Sequence, residues 1–224
     1  MHSNQLKIIV LVGATGLIGS RLLEALLTDV TVNKLIVLSR RPLERKHPKL
    51  ELLITDFHDL DGYAEKLSGA GILYCCIGTT MRKAGSKETF REVDYQLPLK
   101  LAELASKAGI KKFIAVSSVG ADPSGTNFYL RTKGEMERDI TASFRFQKLA
   151  FLRPSMLLGP RTEFRFGERV GQLFMILLSP FMRGRMARYK PIHDFTVAKA
   201  MISISNSVNN QRVYESPELE WLGK

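Results

Sequence analysis

The chain has 224 residues, of which 45% are hydrophobic and 25% charged, with a formal net charge of +11. That balance excludes a disordered or low-complexity protein and leaves room for one large domain with a proper core. Its two cysteines, Cys75 and Cys76, are adjacent and cannot bridge without severe strain; the four scattered histidines add no zinc spacing, so no disulfide framework or structural metal is expected.

The opening "MHSNQLKIIVLVG" passes from a few polar residues into an apolar run that ends in glycine, with no small-residue cleavage region. The longest later apolar stretch, "VGQLFMILLSPFM", is too short to span a bilayer and is broken by Pro180. A soluble, cytoplasmic protein is expected. The positive charge favours anionic partners and gathers at "SRRPLERKHPK" (39–49) and over residues 161–190.

In chain order, "KIIVLVG" (7–13) reads as a buried strand and "LIGSRLLEALL" (17–27) as a helix with leucines at helical spacing. Short strands follow at Lys34–Leu38, Glu51–Thr55 and Ile72–Ile77. "FREVDYQLPLKLAELASKAG" reads as one long helix stopped at Gly109. Then come "KKFIAVSS" as a strand ending at Ser118, "FYLRTKGEMERDI" as a helix and "KLAFLRP" as a strand. An apolar helix at about 168–179, a short strand and a final helix within "YKPIHDFTVAKAMISI" complete the pattern. Repeated strand–helix alternation predicts an α/β fold, a doubly wound parallel sheet covered by helices on both faces. A single domain spanning 1–224 is expected, with 1–153 as a dinucleotide-binding core and 154–224 as a small substrate-side cap.

Gly13, Gly16 and Gly19 stand in "VGATGLIGS", between the first strand and its helix. In that context they predict a dinucleotide site, with Gly13 for the tight turn, Gly16 for approach to the pyrophosphate and Gly19 for helix–strand packing. Thr15, Leu17 and Ile18 lie in the same loop. The second strand ends in Ser39, Arg40 and Arg41 where an NAD site would place a carboxylate; guanidinium groups suit a 2′-phosphate, so NADP(H) is the expected cofactor. Asp56 and Phe57 end the third strand, facing the adenine. Cys76, Ile77, Gly78 and Thr79 end the fourth, beneath the middle of the cofactor. Cys76 as a nucleophile is the minor alternative to plain packing.

"SSVGADPSGTNFYLRTKGEME" (117–137) carries the chemistry. Tyr129 and Lys133 are four apart on a helix and share one face. The Lys133 ammonium favours the phenolate of Tyr129, which would act as general acid in reduction and base in oxidation. Ser118 would donate to the substrate oxygen. Ser117 alternates to the other face and is placed with the cofactor.

Together "GATGLIG", "CCIGTTMRKAGSKETFREVDY", "SSVGAD", "FYLRTKGEMER" and "LRPSMLLGPR" cover most of residues 8–161. As an ordered set they resemble the atypical, extended-like short-chain dehydrogenase/reductases, in particular the Tat-interacting-protein-like oxidoreductases and their bacterial relatives. The resemblance implies a Rossmann fold, NADP(H) binding, a catalytic group of Ser118, Tyr129 and Lys133, and a turn beside the nicotinamide at Pro154, Ser155 and Met156. Many members place an asparagine on the long helix before the catalytic strand; "VDYQLPLKLAE" has none, leaving Asp94 or Gln96 in its stead.

The function expected is reduction of an aldehyde or ketone, or the reverse, on a small carbonyl or alcohol substrate. The rival is an NADP(H)-sensing regulator without turnover, although such sensors tend to lose the tyrosine or the lysine. The apolar-basic segment 161–190 reads first as a core-packing helix with a solvated end, then as the wall of a hydrophobic pocket or a contact with an acidic membrane. His193 is read as structural. Nucleic-acid binding is not expected, because no aromatic-basic interleaving or reading helix supports it.

Overall fold

A computed structural model describes residues 7–159, 182 and 184–224 of the chain. The first strand, β1 (Lys7–Val12), is buried from Ile9 onward, and its alternation defines two core layers. Ile9 and Leu11 join the layer under α1 (Leu17–Thr28), while Val10 and Val12 face the other side. A strand buried on both faces has no polar side to show, which is why it reads as an unbroken apolar run.

β2 (Val32–Ser39), β3 (Leu50–Ile54) and β4 (Ile72–Cys75) follow, then β5 (Lys112–Val116) and β6 (Lys148–Arg153). With β9 (Val213–Glu215) they form one seven-stranded sheet in the order β3-β2-β1-β4-β5-β6-β9, every pairing parallel. This is the expected doubly wound, Rossmann-like fold. The strand order reverses between β1 and β4, and the crevice at that switch point is where such sheets bind ligands. β7 (Leu157–Leu158) and β8 (Ile192–His193) make a separate two-stranded pair. α6 (Asp194–Asn206) lies beside α1, and α7 (Ser216–Leu222) closes the chain against α6. The C-terminal residues therefore do more than cap: β9 supplies a strand of the main sheet.

The expected strand ends and the long helix change in detail. The fourth and fifth strands stop at Cys75 and Val116, so Ser118 lies two residues past β5 rather than ending it. The long helix is not uniform: α2 (Met81–Ala84) and α3 (Lys87–Arg91) lead into a wide π turn at Glu92–Gln96 before α4 (Leu97–Lys107). Pro98 explains it. Proline offers no amide to Asp94, four residues back, and its ring crowds that carbonyl, so Leu97 donates to Glu92 instead and the turn widens. The helix expected at about 168–179 falls outside the described residues, as does most of the basic segment 161–190.

Candidate functional site

The loop after β1 is built as its glycines require. Gly13 has φ +87°, and a Cβ there would sit 2.6 Å from the Cys76 carbonyl oxygen, across the switch point. A Cβ on Gly19 would overlap the Gly13 carbonyl, so α1 packs directly on its own turn. Gly16 precedes α1 in extended conformation, and no side chain caps the helix. Thr15 is exposed and Gly16 and Leu17 half-buried, whereas Ile18 belongs to the core. A helix N-terminus without a side-chain cap, reached by bare backbone, fits a phosphate group.

At the end of β2 the Ser39 hydroxyl donates to the Arg41 carbonyl at 2.8 Å and accepts the Arg41 amide at 3.3 Å. That turn presents Arg40 and Arg41 to solvent, and neither has a carboxylate partner among the described residues. At the end of β3, Asp56 is exposed and accepts the His58 amide at 2.9 Å. Phe57 is 8% exposed and its ring packs in the core, which leaves its backbone to face the crevice. Its backbone sits in the left-handed region at φ +66°, rare for a bulky residue. What this corner offers a ligand is the Asp56 carboxylate and bare backbone.

The next strand end divides by alternation. Cys75 joins the layer under α4, and Cys76 packs on the other side with its sulfur 3.7 Å from Met201 Sδ. Burial, reinforced by Cys75, holds the Cys76 thiol well above its ordinary range, the reverse of what a nucleophile needs. Ile77 packs on the core, Gly78 is exposed, and the Thr79 amide donates to Asp94 Oδ2 at 2.8 Å.

Helix α5 (Phe128–Ser143) begins at Asn127, whose side chain accepts the Leu130 amide at 3.1 Å. Tyr129 therefore sits in the first turn and Lys133 one turn deeper. The Tyr129 ring packs on the buried Phe90 ring with centroids 5.3 Å apart, and its hydroxyl makes no hydrogen bond among the described residues. Lys133 is 3% exposed and its Nζ lies 2.7 Å from Asp94 Oδ1, on a carboxylate with no exposure at all. Burial opposes the ammonium, but Asp94 and Tyr129 outweigh it, so the Lys133 pKa lies above its ordinary value and the charge persists. A Cβ on Gly78 would lie 3.4 Å from Asp94 Oδ1 and 3.7 Å from Lys133 Nζ, so this pair sits directly under the β4 strand end. Of Asp94 and Gln96, it is Asp94 that meets Lys133.

The loop from Ser117 to Asn127 is ordered. The Ser117 amide extends the β5–β6 pairing to Leu152, while its hydroxyl is buried without a hydrogen-bond partner among the described residues. Ser118 is half-buried, with one long contact of 3.5 Å to the Val119 carbonyl. Asp122 accepts the hydroxyl and amide of Ser124, which hold it below the usual carboxylate range. A Cβ on Gly134 would overlap the Asp122–Pro123 peptide, so this loop lies flat on α5. Pro154 is buried, its carbonyl accepting the Val119 amide at 3.1 Å, and the Met156 carbonyl accepts from Ile192 at 3.0 Å. Ser155 is committed internally: its amide donates to Ser216 Oγ at 3.0 Å and its hydroxyl to the Lys190 carbonyl. His193 precedes α6 and stacks on Phe195 with centroids 5.1 Å apart.

The sequence offers Asp94 only as a substitute for the absent asparagine and gives no sign of Phe90 or Gly134. The available signal was the spacing of Asp94 and Pro98, four residues apart in a helix.

Comparison with known proteins agrees with this fold. The profile of a family described as NAD(P)H-binding matches residues 13–173. The chain is 34% identical to rat "Protein HTATIP2", over 98% of this chain and 90% of that one. It is 35% identical to "Protein FMP52, mitochondrial" of Meyerozyma guilliermondii, over 86% and 83% of the two chains. In three dimensions it resembles a UDP-N-acetylglucosamine 4-epimerase of Methanobrevibacter ruminantium (TM-score 0.70, 20% identity, 93% of this chain and 76% of that one). It also resembles MoeE5 in complex with UDP-glucuronic acid and NAD (TM-score 0.69, 18% identity, 92% and 74%), a likeness of fold.

Proposed function

Because the chain belongs to the NAD(P)H-binding family and carries its short-chain dehydrogenase/reductase-like Rossmann domain, we propose that it is an NADP(H)-dependent oxidoreductase acting on a carbonyl or alcohol substrate. The observation that carries this reading is the Tyr129–Lys133 pair on α5, its ammonium buried beside Asp94 under the β4 strand end. The glycine turn and the N-terminus of α1 would hold the pyrophosphate, and Arg40 and Arg41 the 2′-phosphate. The bound nicotinamide supplies the hydride. Lys133 stabilises the phenolate side of Tyr129, so its hydroxyl protonates the developing alkoxide in reduction and accepts the proton in oxidation. Ser118, two residues past β5, would donate a hydrogen bond to the substrate oxygen.

The test is NADPH oxidation over a panel of aldehydes and ketones, wild type beside Tyr129→Phe. Loss of the hydroxyl is expected to cut the rate about 10²- to 10⁴-fold while leaving NADPH binding intact. A variant as fast as wild type would overturn the assignment of Tyr129. NADPH binding without turnover by either protein would instead favour the sensor. The cytoplasmic placement belongs to this reading as well, and no described helix is long and apolar enough to cross a membrane. Since fungal relatives carry "mitochondrial" in their names, imaging the tagged full chain is the check.

A further inference from the structure

The most buried charge in the site has no part in the chemistry described so far. Asp94 has no solvent exposure, and both its oxygens are engaged, Oδ1 by Lys133 Nζ at 2.7 Å and Oδ2 by the Thr79 amide at 2.8 Å. The π turn that Pro98 imposes puts it there. We propose that Asp94 is the positioning residue of this site, a fixed carboxylate that anchors the Lys133 ammonium and sets the pH range over which Tyr129 keeps its proton. The inference rests on Tyr129 being the proton donor.

The groups acting on Lys133 are few. Asp94 faces it from the π turn, Tyr129 from its own helix and Cys75 from β4. Phe90, the ring packed on Tyr129, is apolar. Arg91 on α3 pairs with Glu135 on α5, and Glu137 on α5 pairs with Arg153 at the end of β6. Asp94 is thus the one carboxylate among the described residues that pairs with the Lys133 ammonium. The ammonium favours release of a proton from a neighbouring hydroxyl, and a carboxylate 2.7 Å from that ammonium opposes the pull. Removing the negative charge makes deprotonation easier for lysine and tyrosine alike, so the sign of the effect is the same whichever of the coupled groups titrates first. The Thr79 amide prevents the carboxylate from turning away, and Gly78 leaves no side chain between the pair and the strand end.

Asp94→Asn tests this, with Asp94→Ser as the smaller variant should the amide not fold. Two readouts are compared with wild type. The first is the pH profile of NADPH-dependent reduction. The second needs no turnover: the tyrosinate absorbance titration of each protein minus that of its Tyr129→Phe counterpart. Both are expected to move toward lower pH, because removing the carboxylate leaves the Lys133 ammonium unopposed. A folded variant whose Tyr129-dependent titration stays where it is in wild type overturns the proposal. Wild type that reduces nothing but titrates as expected overturns the reductase reading alone.

Discussion

Cys75 and Cys76 are neighbours in sequence and belong to opposite layers of the protein. Burial, opposed by the Ile77 amide and Lys133, pushes the Cys75 thiol up to about 11. Its neutral form is therefore favoured in the fold, and the associated stability, present below pH 9, is lost as pH rises toward 11, an effect of about 2–3 kcal/mol. Both thiols should resist a thiol reagent at pH 8 until denaturant is added; one equivalent reacting at once with the folded protein would contradict this. Gly19→Ala presses a methyl group into the Gly13 carbonyl and should cost about 2–3 kcal/mol by thermal melt, with loss of dinucleotide binding. Arg40→Ser combined with Arg41→Ser should weaken NADPH about 10- to 100-fold in titrations and leave NADH nearly unchanged. The three glycines, both arginines and the Tyr129–Lys133 pair were legible as residues because each needs only its neighbours in sequence to be interpreted. The burial of the Phe57 ring was not, because whether a side chain fills a core depends on what lies across from it.

At the scale of elements, the π turn and α5 decide the site. Pro98→Ala restores an amide four residues after Asp94 and permits a regular helix, which would rotate the carboxylate away from Lys133. The expected result is unchanged or higher helix content by circular dichroism together with reduced NADPH-dependent activity. The two helices are cross-braced by Arg91 with Glu135 and by the Tyr95 hydroxyl, which donates to Asp139 at 2.8 Å. Arg153, at the end of β6, grips Glu137 with both Nε (2.9 Å) and Nη2 (2.6 Å). This brace aligns α5 with the strand end that leads toward Pro154. Periodicity gave each of these helices its position along the chain but could not reveal the widened turn, since the leucines and alanines of α4 that follow it keep ordinary helical spacing.

Across the whole molecule, the C-terminal segment is fastened to the sheet and to α6. The buried Lys148, at the start of β6, donates to the Asn209 carbonyl and side chain at 2.6 Å and to the Tyr214 hydroxyl at 3.1 Å, fastening the segment that leads into β9. A Cβ on Gly223 would overlap Thr196, so α7 packs tightly on the start of α6. Ser216 holds the Ser155 amide beside the substrate-side turn. Deleting residues 207–224 should therefore leave a chain that loses cooperative unfolding and NADPH binding together, as read by calorimetry and titration. Retention of a sharp transition would mean that the seventh strand is dispensable.

The sequence alone determined the alternating strands and helices, the glycine turn and the one tyrosine–lysine spacing that matters. All three are local: backbone conformation, burial on both faces and side-chain periodicity act over a few residues. Tertiary structure decided the rest. It sent Cys75 and Cys76 to different layers, drew Phe57 into the core, and brought Val213–Glu215 beside β6 from sixty residues away in the chain. It also chose Asp94 over Gln96, because only a fold that places β4, the π turn and α5 around one point can show which side chain meets the lysine.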